Sequence, residues 1–175
     1  MKISLLGYMG SGKTTIGKQL SASLNMKFID LDSFLEFKCK KSIATIFQTE
    51  GEIKFRKYEH DALKETLNSN ENFVLALGGG TPAYYHNMEW VNQYTHSIYL
   101  RMTPKELIER LRNEKNSRPM ISHLTETDFP EFIAKHLFER RNFYEQAKQK
   151  IDLKDKSVKE IVEEINLNLP PLQLK

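Results

Sequence analysis

The run Gly7-Tyr8-Met9-Gly10-Ser11-Gly12-Lys13-Thr14 sets a glycine-rich loop ahead of a lysine and a hydroxyl. These residue types at this spacing can bind a nucleoside triphosphate. Glycines let backbone N–H groups turn inward onto phosphate oxygens, and the helix that follows adds the positive end of its dipole. Lys13 would reach the β- and γ-phosphates and the Thr14 hydroxyl would ligate Mg²⁺. The backbone from Gly10 through Ser11, Gly12 and Thr15 would cradle the anion. A second cluster, Asp30-Leu31-Asp32, suits phosphoryl transfer. That reaction asks a protein to position groups and neutralise charge. One carboxylate near the metal could hold its waters, and the other could orient an acceptor hydroxyl and take its proton. The competing role for Asp32 is to cap a helix from Ser33 to about Lys38.

Three further features admit two readings each. In Phe55-Arg56-Lys57-Tyr58-Glu59, Arg56 offers a planar fork for a carboxylate with Glu59 one turn away. The same residues could form a solvated surface pair. Arg118 lies in the polar, proline-bearing segment Asn113-Glu114-Lys115-Asn116-Ser117-Arg118-Pro119-Met120-Ile121. An arginine there can swing onto a transferring phosphoryl group, or simply sit on a surface loop. Gly78-Gly79-Gly80 permits either close backbone approach to a ligand or a turn with positive φ. Arg140-Arg141 reads as a solvated basic face. The histidines at 60, 86, 96, 123 and 136 show no metal-ligand spacing.

These residues need elements to position them. Lys2–Leu6, Lys27–Asp30, Phe73–Leu77, His96–Arg101 and Ile151–Leu153 read as strands. Apolar residues at helical spacing follow Thr14. Capping boxes open helices at Thr103-Pro104-Lys105-Glu106 and at Ser157-Val158-Lys159-Glu160, the latter running to about Leu167. Alternating strands and helices imply an α/β fold, a parallel sheet flanked by helices, with ligands beyond the carboxyl ends of its strands. The loop, the Asp30-Leu31-Asp32 pair and the three glycines all follow strands, so all fall on that edge. At 175 residues, with 39% hydrophobic and 28% charged residues, the chain fits one globular domain over residues 1–168. The proline-bearing stretch 169–175 reads as a frayed tail. The net charge of +3 is too mild for a nucleic-acid partner. The single cysteine, Cys39, suits a reducing compartment. The short N-terminal apolar run is not a signal sequence, and no run approaches membrane-spanning length. A cytoplasmic monomer without a membrane partner is the expectation.

Taken in order, the motifs resemble the shikimate kinase family across roughly residues 2 to 165. They are the phosphate loop, Phe28-Ile29-Asp30-Leu31-Asp32, Ile46-Phe47 with Gly51-Glu52, Phe55-Arg56-Lys57-Tyr58-Glu59, Leu77-Gly78-Gly79-Gly80, Arg118-Pro119, and Arg140 with Tyr144. The resemblance implies ATP-dependent phosphorylation of the 3-hydroxyl of shikimate. It implies a three-layer P-loop kinase fold of the nucleoside monophosphate kinase kind, with a five-stranded parallel sheet, helices on both faces and a mobile lid near 113–128. By the same resemblance Asp32 is the base and Asp30 supports Mg²⁺ through water. Arg56 and Arg140 hold the substrate carboxylate, Gly78 and Gly79 meet the ring hydroxyls, and Phe47 and Phe55 line the pocket. Lys13 and Arg118 serve the phosphates. Two departures stand out. The lid reads Arg118-Pro119-Met120-Ile121 where family members commonly read Arg-Pro-Leu-Leu. Lys156-Ser157-Val158 stands where some members place a proline on adenine, so Lys156 becomes a nucleotide contact, and Arg110 and Arg112 are both candidates to stack on the base. The rival readings are a gluconate-type sugar acid kinase and a nucleotide-binding module without catalysis. Against the second, Lys13, Thr14, Asp30 and Asp32 are all present.

Overall fold

The computed structural model describes residues 1–115 and 118–171. Asn116 and Ser117 of the expected lid and residues 172–175 of the expected tail lie outside the described residues. Strands β1 (Lys2–Leu6), β2 (Lys27–Asp30), β3 (Phe73–Ala76), β4 (His96–Arg101) and β5 (Gln149–Asp152) form one parallel sheet in the order β2-β3-β1-β4-β5. β1 is central, with Leu5 level with Ala76 on one side and Ile98 on the other. Successive residues of a strand face opposite sides of the sheet. Ile3, Ser4, Leu5 and Leu6 are all fully buried, so helices must cover both faces. This is the α/β layering read from the alternation of elements.

The helices are α1 (Lys13–Ser23), α2 (Leu31–Cys39), α3 (Ile43–Asn68), α4 (Asn87–Tyr94), α5 (Pro104–Arg112), α6 (Pro119–Ser122), α7 (Asp128–Tyr144) and α8 (Val158–Leu167). α1 packs on β1, β2 and β3 and against α8, while α4 packs on β4 and against α3. α5 and α8 start at the capping boxes expected of them: Thr103 with Glu106, and Ser157 with Glu160, exchange both bonds. α2 starts two residues earlier than its sequence suggests. Its N-cap is Asp30, whose side chain accepts the Ser33 N–H at 3.3 Å. The capping role considered for Asp32 therefore belongs to Asp30, and Asp32 sits inside the first turn. α3 begins well before Gly51 and bends there, at φ 82° and ψ 171°. β3 stops at Ala76, one residue early. β5 occupies 149–152 rather than 151–153, although the Leu153 N–H still bonds the Arg101 carbonyl at 3.1 Å. Among the described residues no helix is long and apolar enough to cross a membrane.

Candidate active site

The phosphate loop leaves β1 and turns into α1. Gly12 forms the N-cap at φ 84°, a left-handed conformation that costs glycine little and other residues more. The Ser11 N–H closes the loop onto the Tyr8 carbonyl at 3.1 Å, and Ser11 itself is fully buried beneath it. The Lys13 ammonium lies inside the loop, donating to the carbonyls of Gly7 at 2.8 Å and Tyr8 at 2.9 Å. Burial, joined by the charge of Arg118, draws Lys13 down to about 8, against the pull of Asp32 and Asp30. The loop opens on a cleft of about 450 Å³. Gly10, Gly12, Lys13, Thr14, Thr15, Asp30, Asp32, Gly79, Arg118 and Lys156 all line it.

The two aspartates divide the work. Asp30 ends β2, and its Oδ2 accepts the Thr14 hydroxyl at 2.9 Å. The pair sets a hydroxyl and a carboxylate side by side at the mouth of the loop. Such hard oxygen donors suit Mg²⁺. Among the described residues no group of three or more His, Cys, Asp or Glu side chains could hold a metal alone. Asp32 is different. Burial pushes its carboxyl up to about 6, the charges of Glu59 and Asp30 add to this, and Lys13 opposes it. A carboxylate tuned toward neutrality is suited to accept a proton.

Beyond Asp32, side chains of α3 and α7 close on the strip of three glycines. Arg56 is buried, which removes the surface-pair reading of Arg56 and Glu59. Its Nη1 donates to Glu59 Oε2 at 2.9 Å, and its Nε and Nη2 donate to Glu52 Oε1 at 3.3 Å. Its guanidinium lies over the Tyr84 ring at 4.2 Å and the Phe55 ring at 4.9 Å. Phe55 in turn packs on Phe47 with ring centroids 4.5 Å apart. The other oxygen of Glu59 accepts the Thr81 hydroxyl at 2.5 Å. Gly78 threads between these carboxylates. A Cβ there would fall 2.7 Å from Glu59 Oε1 and 2.9 Å from Asp32 Oδ1. None of Gly78, Gly79 or Gly80 has positive φ, so close approach, not turn geometry, explains the run. The Gly79 carbonyl accepts the Tyr144 hydroxyl, which ties the strip to α7.

Arg140 lies on α7. It is buried, unlike Arg141, so the solvated-face reading fails for one member of the pair. No carboxylate among the described residues pairs with it, which is rare for a buried guanidinium. Its Nη1 lies 2.8 Å from Nδ1 of His136. Arg140 and Arg56 both bear on His136 and on Tyr144, so two cations from different helices converge on one place. Sequence reasoning missed His136 and Thr81, and gave Glu52 of the Gly51-Glu52 motif no role of its own. The i,i+4 spacing of His136 and Arg140 was the one available signal.

On the nucleotide side, Arg110 donates from Nη1 to the Gly10 carbonyl at 3.1 Å and lines the cleft. Arg112 faces Glu126 instead, at 3.9 Å. Lys156 reaches Glu164 at 2.5 Å. Arg118 donates from Nε to Glu114 Oε2 at 2.9 Å, at the edge of the cleft.

The model of the family described as shikimate kinase matches residues 9–169. A shikimate kinase of Flavobacterium psychrophilum is 44% identical over 166 residues, covering 94% of this chain and 96% of that protein. Among solved structures, the shikimate kinase from Bacteroides thetaiotaomicron superposes with a TM-score of 0.89 at 35% identity, covering 97% of this chain and 99% of that one. The shikimate kinase from Acinetobacter baumannii in complex with shikimate gives a TM-score of 0.82 at 32% identity, over 94% and 90%. A gluconokinase from Sinorhizobium meliloti 1021, at 18% identity and a TM-score of 0.59, shares the fold alone. The chain belongs to the shikimate kinase family.

Proposed function

We propose that the chain moves the γ-phosphoryl group of ATP to the 3-hydroxyl of shikimate. One observation carries this reading most directly. A buried arginine without a carboxylate partner among the described residues, Arg140, meets His136, which also meets Tyr8 of the phosphate loop, while Arg56 packs on the glycine strip that reaches Asp32. A small anionic polyol needs fixed cations for its carboxylate and an acceptor for its hydroxyl proton. Both are present, next to a triphosphate site.

In this reading the loop backbone from Gly10 to Thr15, with Ser11 and Gly12 between, and Lys13 hold the phosphates, and Arg110 and Lys156 flank the base. Thr14, and Asp30 through water, would hold Mg²⁺, whose charge offsets that of the phosphate oxygens. Arg56 and Arg140 bind the carboxylate, Phe47 and Phe55 wall the ring, and Gly78 and Gly79 face its hydroxyls. Asp32 takes the proton of the attacking hydroxyl. That oxygen bonds to the γ-phosphorus as the bond to the bridging oxygen breaks, and ADP leaves. Lys13 and Arg118 neutralise charge on the group in flight. Residues 1–168 act as one kinase domain, with 113–128 as a lid that closes over both substrates. Every group comes from one copy, so a monomer suffices. ATP and the lone Cys39 fit a cytoplasmic enzyme.

The test is ADP release against a panel of polyol acids. Shikimate should drive it and gluconate should not. Efficient turnover of gluconate with none of shikimate would overturn the reading.

A further inference from the structure

Arg140 is aimed by something other than a carboxylate. Arg56 has Glu59 and Glu52 to fix its fork. For Arg140 the only hydrogen-bond partner among the described residues is the imidazole of His136, one turn earlier on α7. A guanidinium can only donate, so Nδ1 carries the lone pair and the ring proton is assigned to Nε2. The Tyr8 hydroxyl lies 2.9 Å from the same Nδ1 and, like the arginine, points a donor at its single in-plane lone pair, which the two share. Tyr8 is in the phosphate loop, directly after Gly7. One nitrogen thus joins the loop to the arginine.

The imidazole is held by two rings. Tyr8 meets it edge-on with centroids 5.7 Å apart, and Phe132 packs on it at 5.0 Å. Burial, with the charges of Arg140 and Arg56, keeps His136 down at about 4 against the pull of Glu52. It is therefore neutral and an acceptor at pH 7. A neutral acceptor has an advantage over a carboxylate here. It fixes one edge of the guanidinium without cancelling the charge, and it leaves Nε and Nη2 as a fork for an incoming carboxylate.

We propose that His136 is a positioning residue for substrate binding: its Nδ1, steered by the Tyr8 hydroxyl, orients the Arg140 guanidinium toward the substrate's carboxylate. This rests on the assignment of Arg140 to that carboxylate. A residue that merely fills space would give no preference for an acceptor at the δ position. His136 would.

The experiment is calorimetric titration of shikimate and of its methyl ester into the wild type, Arg140→Ala, His136→Leu, His136→Asn, His136→Gln and the Arg140→Ala/His136→Leu double variant. ATP titrations and steady-state kinetics accompany it. His136→Leu should weaken shikimate binding about tenfold, the scale of one hydrogen bond to a charged group. ATP affinity should stay level and kcat should change far less than KM. His136→Asn, which keeps an oxygen close to the Nδ1 position, should recover most of the loss, and His136→Gln should not. The double variant should bind no worse than Arg140→Ala, and the ester should be indifferent to His136. If His136→Leu fails to fold, the comparison of His136→Asn with His136→Gln decides. Unchanged shikimate affinity in His136→Leu, equal binding by the Asn and Gln variants, or losses that add in the double variant would each overturn the proposal. Normal shikimate binding by Arg140→Ala would instead overturn the carboxylate assignment beneath it.

Discussion

Asp32→Asn should make the protein more stable while nearly silencing it. The reason lies in where the carboxylate sits. Burial and the charges of Glu59 and Asp30 raise Asp32 from 3.8 to about 6. The folded state therefore holds this proton more tightly than the unfolded chain does. Stability drawn from the group is fully present below about pH 3.8 and is lost as pH rises through 6. Each pH unit of separation corresponds to about 1.36 kcal/mol, so ionising Asp32 costs the fold about 3 kcal/mol at pH 8. At pH 4.5, where the unfolded chain has already ionised this group and the folded one still holds its proton, the cost is about 1 kcal/mol, because pH is less than one unit above 3.8. Asparagine has the same shape and never ionises. Helix α2 keeps its start, because the cap is Asp30. Urea unfolding of both proteins at pH 4.5 and pH 8 should show an advantage for the variant that grows from about 1 toward about 3 kcal/mol. In the same variant kcat should fall by about 10² or more, the scale of a lost general base. An advantage that does not change with pH, or a variant less stable at pH 8, would refute the electrostatic argument. Near-normal kcat in the folded variant would refute the role.

Four further outcomes follow from the same geometry. The acid limb of kcat/KM should lie near pH 6 and rise with pH as Asp32 loses its proton, and it should vanish in the residual activity of Asp32→Asn. Arg140→Ala and Arg56→Ala should each weaken shikimate binding by about 1.5–3 kcal/mol and spare ATP binding. Only Arg56→Ala should also destabilise the fold, by about 3–5 kcal/mol, because it strands the buried Glu59; thermal unfolding of the two variants separates them. Arg118→Ala should lower kcat far more than it raises the KM for shikimate, with Arg118→Lys restoring only part, and hydrogen exchange across 113–128 should slow when both substrates bind. Gly78→Ala should impair kcat, since its methyl group would crowd Asp32 and Glu59; unchanged kinetics in that variant would mean the strip can yield.

Much of this was legible because local chemistry agreed with the fold. The phosphate loop, both capping boxes and all five strands were readable from residue type and period. Their shared edge followed from the rule for parallel sheets. What stayed hidden was decided by distant contacts. Nothing in Phe55-Arg56-Lys57-Tyr58-Glu59 says that Thr81 and Gly78 will close over Glu59 and bury the pair. Arg140 and Arg141 are neighbours of one type, yet α7 turns only the first inward. Asp30 and Asp32 can each cap a helix on paper. The choice of Asp30 depends on where β2 ends and on its bond from Thr14. His136 carried no motif at all, because its partners come from the loop after β1 and from its own helix.

The central claim is the transfer of a phosphoryl group from ATP to the 3-hydroxyl of shikimate. Phosphorus NMR of a reaction with ATP, Mg²⁺ and shikimate tests it most directly. The account predicts one new phosphomonoester signal, coupled to the proton on carbon 3 and growing one for one with ADP. ADP formed without that signal, a phosphoester on another hydroxyl, or turnover of gluconate in place of shikimate would contradict it.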